Sequence, residues 1–334
     1  MTLPPADVEG LVVRALENCG ASTENAASTA AALIAAEIDG QLGHGVSRVA
    51  TYAAQLKAGK VDGHAQPAAV RTRAGSFRID AKGGFAYPAL DLAISCLTNA
   101  AKETGIAAAA IFNSHHIGQA GRTVERLGSH GLIALVASNT PRAMAFYGGT
   151  RPMLGTNPLA FAAPVRGRAP LVIDMALSRV ARSKIVAAQK AGKDIPEDWA
   201  TDAQGLPTTD PDAALGGALL PAGGAKGAAL ALMVEILCGA LAGAHFGWEA
   251  SSFLDDRGAA PGVGQTLIAL DPAAFAGPVY FDRMAELLKA MADEPGVRLP
   301  GDRRLASRAA HAHGLTLAPG LHAQLVNLAL RISS

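Results

Sequence analysis

Ile106-Ala107-Ala108-Ala109-Ala110-Ile111-Phe112 runs directly into Asn113-Ser114-His115-His116-Ile117-Gly118-Gln119-Ala120-Gly121. The first seven residues are apolar and bounded by turn-forming residues, which reads as a short strand buried on both faces. The polar island after it carries two glycines and opens a helix expected over Gly121 to Ser129. Outward from this stretch the pattern alternates. Ala89 to Thr104 reads as helix, Leu132 to Ala137 as strand, and Leu159 to Ala163 and Leu171 to Ile173 as further short apolar strands. Alternation of this kind sets the fold class as α/β. The spacing GxGxxG of dinucleotide-binding turns is absent.

Upstream, the first seventy residues read as helical, over Asp7 to Asn18, from a Thr23 cap through Ile38, and over roughly Val46 to Ala58. A β-hairpin is expected between Ala68 and Ala86, turning at Ala74-Gly75-Ser76. Downstream, Asp194 to Asp212 is rich in proline and aspartate and reads as an irregular excursion. Ala225 to Leu241 is an apolar helix, Thr266 to Leu270 a strand, Val279 to Met291 a helix, and Leu321 to Ile332 a final amphipathic helix.

The 334 residues are half apolar, and 29 basic against 28 acidic residues leave a net charge of +1. That balance gives no footprint for nucleic acid or an anionic membrane surface. The most apolar run, Ala228 to Ala244, is interrupted by Glu235 and too short to read as a membrane span. Cys19, Cys96 and Cys238 form no CxxC pair and fit reduced structural thiols. The N-terminus lacks the basic and apolar regions of a signal peptide. A cytoplasmic protein is expected.

Five polar islands carry chemistry. In Gly43-His44-Gly45-Val46-Ser47-Arg48, a helix from Gly45 onward would set His44 and Arg48 on one face, four residues apart. Arg can clamp a carboxylate with two parallel hydrogen bonds while His passes a proton to the neighbouring oxygen; a capping His and a surface Arg give the same pattern. The His116 to Gly121 island, at a helix N-terminus, can receive a cofactor phosphate or be an ordinary turn. Gly155-Thr156-Asn157-Pro158 offers short donors to a carboxylate or ribose, or makes an Asx turn before a strand. Asp174-Met175-Ala176 can accept from ribose hydroxyls or cap a helix, and Gly223-Gly224-Ala225-Lys226-Gly227 puts a lysine at a helix N-terminus without the Walker A spacing. His115 and His116, adjacent on an extended segment, point opposite ways, and no nearby Cys or carboxylate completes a set; no metal is expected.

In order along the chain, these islands resemble the type-2 malate/L-lactate dehydrogenase family of NAD(P)-dependent oxidoreductases, which also holds sulfolactate and ureidoglycolate dehydrogenases and Δ1-piperideine- and Δ1-pyrroline-2-carboxylate reductases. His44 to Arg48, His116 to Gly121, Gly155 to Pro158, Asp174 to Ala176, Gly224 to Gly227 and Leu299-Pro300-Gly301 carry the resemblance, over essentially the whole chain. It implies a non-Rossmann NAD(P)-binding sheet domain packed on a mainly helical part built from both chain ends: 1–72 helical, 73–245 cofactor-binding, 246–334 returning to the helices. A homodimer is implied. So is hydride transfer between a small 2-oxo acid and its 2-hydroxy acid, with NADP or NAD as cofactor. His44 would be the acid/base, with His116 as rival. Arg48 would hold the substrate carboxylate with Thr156 and Asn157. His116, Ile117, Gly118, Gln119, Ala120, Asp174, Met175, Ala176, Ala225, Lys226 and Gly301 would line the cofactor.

The chain departs from the family pattern at two places. Many members carry Ser before the catalytic His, where this chain has Gly43. The imine-reducing branch pairs that Ser with an Asp at the position of Lys184. Both partners are missing, which favours a 2-hydroxy acid over a cyclic imine. A histidine with a pKa near neutrality would serve both directions of the reaction.

Overall fold

The computed structural model describes residues 1–330. Its centre is a seven-stranded sheet of β1 (Ala68–Arg73), β2 (Ser76–Asp80), β3 (Ile106–Ser114), β4 (Ile133–Ser138), β5 (Leu159–Ala163), β6 (Leu171–Met175) and β7 (Val263–Leu270), in the order β1-β2-β3-β7-β4-β5-β6. Only β2 and β3 run parallel; every other neighbouring pair is antiparallel. β7 lies between β3 and β4, so Leu267 faces Ala109 on one side and Val136 on the other, all three buried. The segment 246–334, expected to return to the helical part, thus first supplies the central strand. Its alternation is too apolar on both faces to reveal its neighbours.

Helices Ala86–Thr104 and Ala120–Ser129 cover one face of the sheet through Ala, Leu, Ile and Val. The same core takes in helices Pro5–Glu17, Thr23–Ile38, Val49–Lys57 and the C-terminal Pro319–Leu330. The two chain ends meet there. Thr2–Leu3 pairs with Leu315–Thr316, and the Asn18 amide donates to the carbonyls of Leu328 and Ala329 at 3.2 and 2.9 Å. The last helix reaches Leu330, and the expected continuation to Ile332 lies outside the described residues. A second apolar cluster lies under residues 137–238, where the excursion folds back as a small four-stranded sheet.

Local departures have identifiable causes. Ser22 rather than Thr23 caps the second helix, accepting from Asn25 N at 3.3 Å. The segment expected as one helix from Val46 opens as a 3-10 turn, Val46–Arg48, before an α-helix begins at Val49, and another 3-10 turn, Leu42–His44, precedes it. Ala225–Glu235 is α-helical, and Ile236–Leu241 widens into a π-helical turn. Helices Arg182–Lys190 and Asp302–Ala310 had no clear apolar period; each buries a single side chain, Ile185 and Arg304.

Four charges fasten the helical part to the sheet. Arg308 grips Asp39 through Nε and Nη2 at 2.9 and 3.0 Å and reaches Glu125 Oε2 at 3.0 Å. Arg304 binds Glu125 at 2.6 Å and lies 3.6 Å from Asp39. Burial alone would raise the Glu125 carboxyl, but hydrogen bonds from Arg308 and Arg304 hold it below its ordinary value. Removing one member strands a buried charge. We expect Asp39→Ala to lose about 3–5 kcal/mol of unfolding free energy in urea titrations; a loss below about 1 kcal/mol would show that the cluster contributes only as surface pairs do.

Candidate active site

The His44 loop takes its shape from Glu37. This buried carboxylate accepts Val46 N at 2.9 Å, and a Cβ on Gly45 would sit 2.0 Å from Glu37 Oε2, so only glycine fits. Ser47 Oγ donates to Leu42 O at 2.6 Å, and Arg48 Nε donates to Gly43 O at 2.7 Å. Arg48 and His44 are therefore brought together by a turn and not by helical spacing. Arg48 Nε is engaged by Gly43 O, and its two Nη groups have no hydrogen-bond partner among the described residues, which leaves them available for an anion.

Across the fold, His44 stacks on His116 with ring centroids 5.1 Å apart and planes at 15°. His116 Nδ1 is 2.9 Å from Tyr52 Oη, which is 3.1 Å from Tyr87 Oη. His115 turns the opposite way, as its extended neighbourhood requires, into a cage of Tyr52, Phe85 and Phe253. Phe253 also covers His116. Its loop is held by the buried Lys60 ammonium, which donates to the carbonyls of Ser252, Asp255 and Arg257. Among the described residues no three His, Cys, Asp or Glu side chains gather to hold a metal ion.

The remaining islands converge by backbone bonds. Asp174 Oδ2 accepts Gly121 N at 2.7 Å, so a carboxylate and not a phosphate occupies that helix N-terminus. Leu177 N donates to Thr156 O and Ala222 N to Leu177 O, which sets Thr156, Asp174–Ala176 and the exposed Ala225-Lys226 side by side. A Cβ on Gly301 would lie 3.5 Å from Val172 O. Asn157 departs from its expected part. It is fully buried, its amide donates to Ala231 O at 3.0 Å and Glu235 Oε2 at 2.8 Å, and its Oδ1 accepts from Thr140 N at 3.3 Å. Nothing of it is left for a substrate. It shapes the loop, at φ +42°, with Glu235 as anchor. Glu235 also accepts from Asn139 and Gly247, a role invisible in an apolar helix pattern.

Burial, reinforced by Arg48, pushes the His44 imidazole down to about 4. Burial also lowers His115 to about 3, helped by Lys60 and Arg48. His116 falls well below its ordinary value through burial and then Arg48. All three rings are neutral at pH 7, against the near-neutral value expected for a two-way acid/base. The unfolded chain takes up protons near 6.5, whereas folded His44 resists until about 4, so these groups cost stability as pH falls through that window. Replacing caged, unpartnered His115 with Phe should flatten the fall of the melting temperature between pH 6.5 and about 3. An unchanged slope in calorimetric scans would count against this account.

A nicotinamide dinucleotide needs cationic donors for its phosphates, and the chain has a candidate that its sequence did not single out. Arg304 is buried, its Nε and Nη2 have no partner, and Nη2 lies 3.9 Å from where a Gly301 Cβ would be. The adjacent Leu-Pro-Gly motif was the signal available for it. These residues fit the group.

Comparison with known proteins agrees. A family model described as malate/L-lactate dehydrogenase matches residues 3–326. A (2R)-3-sulfolactate dehydrogenase (NADP(+)) of Chromohalobacter salexigens is 50% identical over 311 residues, 93% of each chain. The crystal structure of a Δ1-piperideine-2-carboxylate reductase from Pseudomonas syringae superposes with a TM-score of 0.93 at 38% identity, covering 98% of this chain and 99% of that one. A sulfolactate dehydrogenase from Methanocaldococcus jannaschii gives 0.91 at 31%, covering 98% and 96%. On these matches over nearly its whole length, the chain belongs to the malate/L-lactate dehydrogenase family.

Proposed function

We propose that the protein is an NADP-dependent dehydrogenase that interconverts (2R)-3-sulfolactate, or a 2-hydroxy acid of the same doubly anionic kind, and its 2-oxo acid. The observation that carries this reading is His44, stacked on His116 beside Arg48, a neutral imidazole whose proton affinity is depressed by burial and then by Arg48. In the oxidising direction His44 takes the hydroxyl proton, and the free Nη groups of Arg48 hold the carboxylate, aided by the Thr156 hydroxyl. A nicotinamide held there would supply the acceptor for the hydride that leaves the substrate carbon. A carboxylate paired with Arg48 would cancel that cation's share of the depression, raising the affinity of His44 for a proton in the ternary complex. Arg304, Gly301, His116 to Ala120, Asp174 to Ala176 and Ala225-Lys226 would hold the cofactor.

Cyclic-imine reduction is the second reading, carried by the likeness to the Pseudomonas syringae reductase. Against it, Gly43 has no hydroxyl to steady His44, and Lys184 stands exposed in the first turn of helix Arg182–Lys190. A cation there suits a second anionic group better than an imine relay. The test is turnover of sulfolactate, malate, lactate and the two imines with NADP and NAD. We expect sulfolactate with NADP to lead, His44→Ala to lose about 10²–10⁴-fold in kcat, and Lys184→Ala to raise KM for sulfolactate but not for lactate. Preference for an imine, or unchanged sulfolactate kinetics in Lys184→Ala, would sink the respective assignments.

The protein is further proposed to work as a cytoplasmic homodimer. Its three cysteines are free, and Met233, Ile236 and Leu241 along helix Ala225–Leu241 are exposed at 56, 52 and 65%, an apolar face that a second copy would cover. Light scattering should find a dimer for the parent and a monomer for Ile236→Glu; a monomeric parent would refute this.

A further inference from the structure

Behind His116 lies a small cavity of about 10 Å³, lined by Ala32, Tyr87, Leu90, Ile117, Gln119, Arg122 and Thr123. That is room for about one water molecule. Two features of its lining call for a group that both donates and accepts. Gln119 donates its amide nitrogen to Asp39 at 3.0 Å, and because a carboxylate only accepts, this fixes the amide's orientation. Its Oε1 is left buried without a partner. Arg122, also in the lining, is a guanidinium that can donate and never accept. Gly118, at φ +72°, lets Tyr87 pass: a Cβ there would sit 2.7 Å from Tyr87 Oη.

From this cavity a line of hydrogen-bonding groups runs to the candidate active site: Tyr87 Oη to Tyr52 Oη at 3.1 Å, and Tyr52 Oη to His116 Nδ1 at 2.9 Å. Each hydroxyl has one proton to give, so the chain can point either way, and its ends decide. Burial raises both tyrosines, so both keep their protons. A cation at the cavity end draws the oxygen of each dipole towards it and turns each proton away.

We infer that the cavity holds one water, which takes a hydrogen bond from Arg122 and donates to Gln119 Oε1 and Tyr87 Oη, so that Tyr87 donates to Tyr52 and Tyr52 to Nδ1 of His116. His116 is thereby fixed as the tautomer protonated at Nε2. It presents a hydrogen-bond donor on the ring edge away from Tyr52, and cannot act there as a base. Proton transfer then falls to His44, and His116 steadies the substrate oxygen. Tyr52, Tyr87 and Arg122 are positioning residues in this scheme. The division of labour rests on the site proposed above; the tautomer does not.

The test is ¹⁵N-histidine NMR of the whole cofactor-free protein, with the His116 signals identified by their loss in His116→Gln. An imine-type Nδ1 and a protonated Nε2 are expected. A protonated Nδ1 overturns the inference. Arg122→Met should shift the population towards Nδ1–H and lower kcat by roughly tenfold, as loss of an outer partner of a functional histidine does, while Arg122→Lys, still a donor, should keep the parent tautomer. Retention of the Nε2–H form in Arg122→Met would show that Arg122 does not set the direction. If the tautomer holds but sulfolactate is not turned over, the proposed function fails and this inference stands.

Discussion

The cluster of Asp39, Glu125, Arg304 and Arg308 is the interaction on which the rest depends. Asp39 ends helix Thr23–Ile38, Glu125 sits in the helix that follows the polar island, and both arginines come from helix Asp302–Ala310. Three distant stretches of sequence are thereby held at one point. The same point places Gln119, which shares Asp39, and Arg304, whose Nη2 lies beside Gly301. Buried charges are weak as stabilisers in general, because desolvation offsets their attraction. Here their value is positional. Hydrophobic packing alone does not fix a helix's register as tightly as a two-pronged guanidinium grip does.

Around the histidine pair the protein works by exclusion of water. Tyr52, Phe85, Phe253 and the two tyrosine hydroxyls leave the imidazoles little solvent. Arg48 is the nearby cation acting on all three rings. The resting site is therefore cationic and poor in bound protons. It is arranged for an incoming anion, which supplies the compensating charge and changes the proton affinity of the group beside it. Glu37, though buried, is spent on the Val46 amide and shapes the loop.

Much of this was legible in the sequence. Strand Ile106 to Phe112 and the helix after it were found by period, five islands by spacing and the Leu299-Pro300-Gly301 motif by resemblance, and the structure links Gly121 to Asp174 and Thr156 to Leu177. What escaped reading depends on long-range partners. Asn157 looks like a binding residue among short polar neighbours, and only the buried Glu235, 78 positions away, shows that its amide is already engaged. Arg304 stands in a segment whose composition reads as solvated, and its burial follows from Asp39 and Glu125. The turn at Gly45 came from a glycine that local pattern treats as neutral. Its meaning lies in the carboxylate pressed against it.

The place of β7 bears on how the molecule is made. The strand at the middle of the sheet is the last of its seven to be synthesised, and β3 and β4, which it joins, touch each other nowhere in the sheet order. While the chain emerges, both present open edges rich in alanine, isoleucine and valine, the kind of surface that recruits strands from other molecules. Closure of the sheet waits for residues 263–270 to thread between them, a step dominated by contacts remote in sequence and therefore slow. Yield in the cell is thus governed as much by what shields those two edges in the interval as by the stability of the finished fold.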